Sequence, residues 1–254
     1  MTDPPGFAQW NMARDEAIFL SVQSGNAPPT MRLYSWREPA ISIGRFQPLD
    51  RAARAMAPHR AEARIVRRIT GGRAVLHGTD LTVSISAGAA DIRSHEGGPC
   101  GVYECYAALL QVYVAAFASL GLEPCSGQRP YRRVGQSHDC FKTHTRADIV
   151  DSCTKRKLLG SAIHRSDGFV LQQASIPLGS HRPQDIRGMD EFQVEEPELR
   201  RALIRSITAL TGLEMAVEPA MPWEESAAEE LIFTRYSRQE WTQHGRTLIA
   251  IDSE

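Results

Sequence analysis

The sequence predicts an α+β fold, a mixed β-sheet flanked by helices. Three observations predict it: strand-like and helix-like segments follow one another in blocks, no internal repeat is present, and no linker-like stretch divides the chain. The length, 254 residues, suits one large domain, so residues 1–254 are read as a single unit. Basic and acidic side chains nearly cancel, 29 against 30, which argues against a general nucleic-acid binder and confines any basic site to a local cluster. A hydrophobic share of 42%, with ordinary glycine and proline content, excludes disorder and low complexity.

The elements are justified in order. A helix is expected at 11–24, where Ala13, Ala17 and Leu20 share a face, with Asn11 as its cap and Gly25 as its stop. Five strands follow at 31–36, 40–44, 63–68, 73–77 and 80–86, each a short apolar or β-branched run bounded by turn residues. After a linker at 96–101, the uncharged stretch 105–122 reaches the lower limit of a membrane span, but Gln111, Ser119 and its tyrosines and alanines make it a buried helix. A long loop rich in Arg, His and Cys is expected at 124–146, and loops of that size are usually functional or disordered. Strands return at 147–150, 157–165 and 168–178 as a meander turning at Ser166-Asp167-Gly168. Helices are expected at 197–212, opened by proline and closed by glycine, and at 224–235.

Five cysteines in a chain this long form no disulfide framework, and the acidic, proline-containing N-terminus lacks a signal peptide, so a cytoplasmic protein without membrane attachment is expected. Residues able to carry chemistry concentrate in three places. The first, Arg67-Arg68-Ile69-Thr70-Gly71-Gly72-Arg73, lies between two predicted strands and leads to His77. Its glycines allow close backbone approach and its arginines offer charge to a phosphate or carboxylate; the plainer reading is a hairpin turn with solvated arginines. The second is Lys157 ahead of Gly160, Ser161 and Ala162, either a desolvated lysine beside a space left by small residues or a surface lysine at a strand start. The third is the run 138–144, where neighbouring cations would favour the Cys140 thiolate, unless that cysteine is inert. His138, Cys140, His144 and Cys153 lie close together but lack zinc-ligand spacing, so no metal is expected, and no nucleophile elbow, zincin or Walker motif is present.

Taken together and in order, NMARDEAIF, LYSWREPAISIGRFQ, RRITGGRAVLHGTDLTVS, DCF, KLLGSAIHRSDGFVLQQASI and RYSRQEW resemble the lipoate ligase and octanoyltransferase superfamily. The likeness spans residues 11–241 and is greatest to the cysteine-dependent LipM-type octanoyltransferases. It implies the fold of biotin and lipoate protein ligase catalytic domains. It also implies Cys140 as nucleophile, Lys157 as the active-site lysine, and Arg67, Arg68, Gly71, Gly72 and His77 in the loop enclosing the acyl group. Arg73, Gly160, Ser161 and Ala162 complete the expected substrate-binding set. The implied reaction moves an octanoyl group from octanoyl-acyl carrier protein to Cys140, then to a lysine of a lipoyl domain or a glycine cleavage H-like protein, with no cofactor. Arginines at 64–73 and 129–133 would steer these acidic partners. Two alternatives are an ATP- and magnesium-dependent lipoate ligase, in which Lys157 holds an acyl-adenylate, and a non-catalytic protein that binds carrier or lipoyl domains. The expected absence of a further C-terminal domain favours transfer over adenylation. Relatives usually read QHGSI where this chain reads Gln172-Gln173-Ala174-Ser175-Ile176, a departure that bears on acyl length and acceptor choice.

Overall fold

The computed structural model describes residues 3–57, 63–92, 102–127, 138–142, 145, 147–179, 186–212 and 214–245. Cys100, the 96–101 linker, the arginines at 129–133 and His144 lie outside the described residues. The first half holds α1 (Ala8–Gln23), β1 (Thr30–Tyr34), β2 (Ala40–Ile43), α2 (Leu49–Ala55), β3 (Arg64–Arg67), β4 (Val75–His77), β5 (Asp80–Gly88) and α3 (Val102–Ser119). The second holds β6 (Pro124–Ser126), β7 (Ile149–Asp151), β8 (Lys157–Ser166), β9 (Phe169–Pro177), α4 (Glu196–Thr211), α5 (Pro222–Leu231) and α6 (Gln239–His244).

Six strands form an antiparallel sheet in the order β1-β5-β9-β8-β7-β6, and three form a smaller sheet in the order β3-β2-β4. The parallel pairing is in the small sheet, between β2 and β3, where Ile41 faces Ile65. β2 also pairs antiparallel with β4, so β3 and β4 cannot form a hairpin, and the glycine loop between them is a crossover past the end of β2. This removes the hairpin-turn reading of residues 68–74.

Strand β5 shows how the layers are set. It alternates Asp80, Thr82 and Ser84 with Leu81, Val83 and Ile85, a pattern that ordinarily marks one wet face, yet every residue in it is buried. The apolar face joins Tyr113 and Phe117 of α3 and Leu199, Leu203 and Ile207 of α4 in the main core. That contact explains the uncharged stretch 105–122, most of which lies in α3: among the described residues no helix is long and apolar enough to cross a membrane, and α3 lies against α4 and the sheet.

The polar face is covered by α1. Asn11 is not a cap, because the helix begins three residues earlier and Asn11 is fully buried, donating to the Gly6 and Ser35 carbonyls. One turn on, the Asp15 carboxylate accepts four hydrogen bonds, from Arg32 at 2.7 Å, Ser84 at 2.7 Å, Tyr34 at 2.7 Å and Gln173 at 2.6 Å. A polar sheet face is thereby buried with its donors satisfied.

Near the C-terminus the expected 224–235 helix stops at Leu231 and widens into a π-turn over Ile232–Tyr236. Glu16 accepts from both Arg235 and the Tyr236 hydroxyl, so two consecutive side chains anchor that turn to α1. Gly212 ends α4 at φ +68, as the sequence predicts. Helix α2 and strand β6 carry no sequence signal strong enough to predict them.

Asp15→Ala would leave the buried Arg32 guanidinium with Asp3 as its remaining ion-pair partner, beside its bonds to Asn11, and should lower unfolding free energy by about 3–5 kcal/mol. Ser84→Ala, which removes one neutral donor, should lower it by about 1 kcal/mol. Urea titration of both variants checks the contrast; equal effects would deny Asp15 its central place.

Candidate functional site

Lys157 opens β8 with no solvent exposure, which removes the surface-lysine reading. Its Nζ donates to the Cys140 carbonyl at 2.6 Å, lies 3.1 Å from Asp148 Oδ1, and lies 3.5 Å from Cys140 Sγ. Cys140 starts a 3₁₀ turn, and Asp139 Oδ1 accepts the Phe141 N–H at 2.9 Å to shape it. Backbone bonds stitch this turn to the glycine loop: Cys140 N donates to Ala74 O at 2.8 Å, and Ala74 N to His138 O at 3.1 Å. Space for the sulfur comes from Gly160, where a Cβ would stand 2.9 Å from Sγ.

The glycine loop is held from within. Arg67 is 1% exposed and donates to the carbonyls of Gly44, Arg45, Gln47, Trp241, Thr242 and Gln243. Arg68 donates to Ser42 O and Oγ, to Gly71 O and to Arg73 O, and burial pushes its guanidinium down to about 10. The donors of both arginines are engaged by backbone carbonyls and, for Arg68, by Ser42 Oγ, so both clamp the loop; Arg68 also lines the pocket beside Cys140. Gly72 adopts φ +85, with the Arg68 guanidinium 2.8 Å from where a Cβ would be. Gly44 lies so close beneath that a Cβ there would overlap the Gly72 carbonyl. Arg73 is half-buried and lines the space next to Cys140.

Between the sheets lies a pocket lined by Cys140, Arg68, Gly72, Arg73, Gly160, Ser161 and Ala162 at one side and by Met12, Tyr34, Trp36 and His77 at another. Gly160, Ser175 and Thr82 sit side by side on β8, β9 and β5. At about 4.8 Å per strand the Thr82 end is therefore roughly 10 Å from the thiol end. His77 belongs to the Thr82 end. Its Nδ1 bonds Asp80 at 2.8 Å, its Nε2 bonds Ser42 Oγ at 2.8 Å, and its ring stacks on Trp36 at 3.9 Å. Ser161 donates its hydroxyl to Ala147 O at 2.8 Å and does not offer it to the cavity. The two departures from QHGSI separate by strand alternation. Gln173 lies on the cavity face, accepting from Thr70 at 2.6 Å, whereas the Ala174 methyl packs into the opposite core.

The family model for the lipoyl protein ligase A/B catalytic domain matches residues 8–219. The chain belongs to that family. Octanoyltransferase LipM of Moorella thermoacetica is 36% identical over 213 residues, covering 80% of this chain and 72% of that one. Octanoyltransferase LipM of Geobacillus kaustophilus is 31% identical over 270 residues, covering 94% of each. Among solved structures, lipoate-protein ligase A bound with ATP superposes with a TM-score of 0.78 at 24% identity, covering 97% of both chains. A bipartite lipoate protein ligase from Thermoplasma acidophilum, studied with its E2 lipoyl domain, gives 0.74 at 22% identity, covering 97% and 95%. The family and the named relatives make this chain an acyltransferase with the lipoate ligase catalytic fold.

Within this ligase A/B domain the thiol ionises differently from the expectation, whereas the lysine keeps the positive charge expected of it. Burial, the largest influence, raises the Cys140 thiol above its ordinary value, and Asp148 and Asp139 add to that against Lys157 and Arg68. The cations beside it therefore do not bring the thiol below its ordinary value. Burial acts to lower Lys157, but Asp148 and Cys140 outweigh it and hold the ammonium above its ordinary value. Asp148 escapes the sequence reading; its signal is one charge leading into an apolar strand run, which also describes a surface turn. Among the described residues no group of three or more His, Cys, Asp or Glu is placed to hold a metal.

Gly160→Ala pushes a methyl against Sγ and should lower stability by about 1–3 kcal/mol through overpacking while slowing Cys140 alkylation. Labelling followed by peptide mass spectrometry, with a melt on the same sample, checks it. Wild-type alkylation would show that the sulfur does not occupy this niche.

Proposed function

We propose that this protein transfers an octanoyl group from octanoyl-acyl carrier protein to a lysine of a lipoyl-domain protein through a thioester on Cys140. The observation that carries the reading is a sulfur 3.5 Å from a fully buried ammonium at one end of a pocket lined from both sheets. Relatives named octanoyltransferase over most of the chain support the acyl group, and the neighbour studied with its E2 lipoyl domain supports the acceptor.

In the first transfer Cys140 Sγ bonds to the donor carbonyl carbon, the donor C–S bond breaks, and the thiol proton ends on the departing carrier sulfur. In the second, the acceptor amine bonds to that carbon, the Cys140 C–S bond breaks, and one amine proton returns to Cys140. Each step passes through an oxyanion, for which Lys157 is the nearby cation, while Arg67 and Arg68 keep the glycine loop in shape. The thioester is already activated, so no nucleotide and no metal is required.

Cys140→Ser should abolish the acyl-enzyme seen by intact mass after incubation with octanoyl carrier protein, while transfer by the wild type proceeds with ATP and magnesium removed. Modification of a lipoyl domain from free lipoate only with ATP would assign the ligase reaction instead. Binding of both proteins without any acyl-enzyme would mark a non-catalytic binding protein.

Lys157→Ala should reduce single-turnover acylation by about 10²–10³-fold, the usual loss for one oxyanion donor. Lys157→Arg should not restore it, since a planar guanidinium does not fit the slot beside Gly160. Acylation within a few-fold of wild type in a folded Lys157→Ala protein would remove this lysine from the mechanism.

A further inference from the structure

Asp148 is a charged group at the site with no task in the transfer steps. It is 4% exposed; Oδ1 faces Lys157 Nζ at 3.1 Å, and Oδ2 accepts from Thr145 N at 2.6 Å and Thr145 Oγ1 at 3.0 Å. An ammonium has three N–H groups and no acceptor. Here the three directions are used: toward the Cys140 carbonyl, toward Asp148, and toward Sγ. A lysine so arranged donates on every side and has no lone pair with which to take the thiol proton.

We propose that Asp148 is a positioning residue for acyl transfer, fixing Lys157 as a permanent ammonium with one N–H aimed at the Cys140 sulfur. The turnover part of this inference rests on the acyl-transfer reading; the part that concerns the thiol does not.

The carboxylate acts on the sulfur in two opposed ways. Through Lys157 it presents a cation, and directly, as a nearby anion, it resists a second negative charge. The three groups surround one point, since a Cβ at Gly160 would lie 2.9 Å from Sγ, 3.6 Å from Nζ and 3.7 Å from Asp148 Oδ1. Burial disfavours an anion at this point, and Asp148 offsets part of the positive charge that Lys157 and the loop arginines bring to the sulfur. A thiolate forms as the thioester is attacked and its charge passes to the leaving sulfur, with Lys157 keeping its protons throughout. The other charges acting on Sγ are Arg68 and Arg73 of the glycine loop and Asp139 of its own turn, and these stay in place when Asp148 is changed.

The experiment follows iodoacetamide labelling of Cys140 against pH, by peptide mass spectrometry, together with octanoyl transfer and a thermal melt. In the wild type the labelling midpoint should lie above that of the same cysteine in urea. In Asp148→Asn it should fall by about one pH unit, because a like charge has left the sulfur. Transfer should fall about 10²-fold, because the ammonium is no longer aimed. Asp148→Glu should return the midpoint toward wild type and recover part of the transfer. Thr145→Val, which keeps the charge and weakens only the turn, should leave the midpoint unmoved. A wild-type midpoint at or below the value in urea overturns the proposal whether or not any variant folds, and so does an Asp148→Asn midpoint equal to wild type. If the wild type forms no acyl-enzyme at all, the transfer reading fails while the labelling series still decides the role of Asp148.

Discussion

The Asp15 carboxylate sits between α1 and the large sheet with no exposure to solvent, and its two oxygens accept from side chains on β1, β5 and β9. An ionised carboxylate at such a place is tolerable only when fully hydrogen-bonded. Once it is, it allows a polar sheet face to be covered by a helix. The same face floors the cavity. Through Gln173 the network continues to Thr70, so the hub and the glycine loop belong to one hydrogen-bonded chain. Cavity shape is thus set by polar bonds as much as by apolar packing, and such bonds are more directional than methyl contacts.

Arg67 and Arg68 show the same economy from the other side. Charged residues beside a ligand cavity invite an electrostatic reading, yet both guanidiniums satisfy backbone carbonyls that a tight loop leaves unpaired. Arg67 joins carbonyls after β2 to carbonyls at the end of α6 and so couples the loop to the C-terminal helix. Local charge is supplied instead by Lys157 and Arg73.

Much of the fold is legible because periodicity and punctuation agree. Pro197 and Gly212 bracket α4, and the β8–β9 meander turns at Asp167 and Gly168, both at positive φ. Partner choice is less legible. Five strand patterns in the first half do not say that β1 and β5 join one sheet while β2, β3 and β4 form another. Nor does an alternating strand say that its polar side will be roofed by a helix. At the site, the residues that hold the chemistry in place are the hard ones. Gly44 reads as an ordinary strand end until the Gly72 carbonyl is seen above it, and Asp148 reads as a turn acid until Lys157 is found buried beside it. The ionisation of Cys140 fails for a related reason: sequence shows which cations are near, not how much water has been removed.

The backbone bonds between Ala74 and residues 138–140 join segments more than sixty positions apart, and they set where the sulfur sits. Contacts of that separation carry a loop-closure entropy that local contacts do not. In a nascent or partly folded chain Cys140 is therefore an ordinary thiol with no lysine beside it and no cavity behind it. Under the proposed acyl transfer, competence and completion of the fold would become one event: a chain that has not yet joined these segments would lack both the lysine beside the thiol and the pocket behind it.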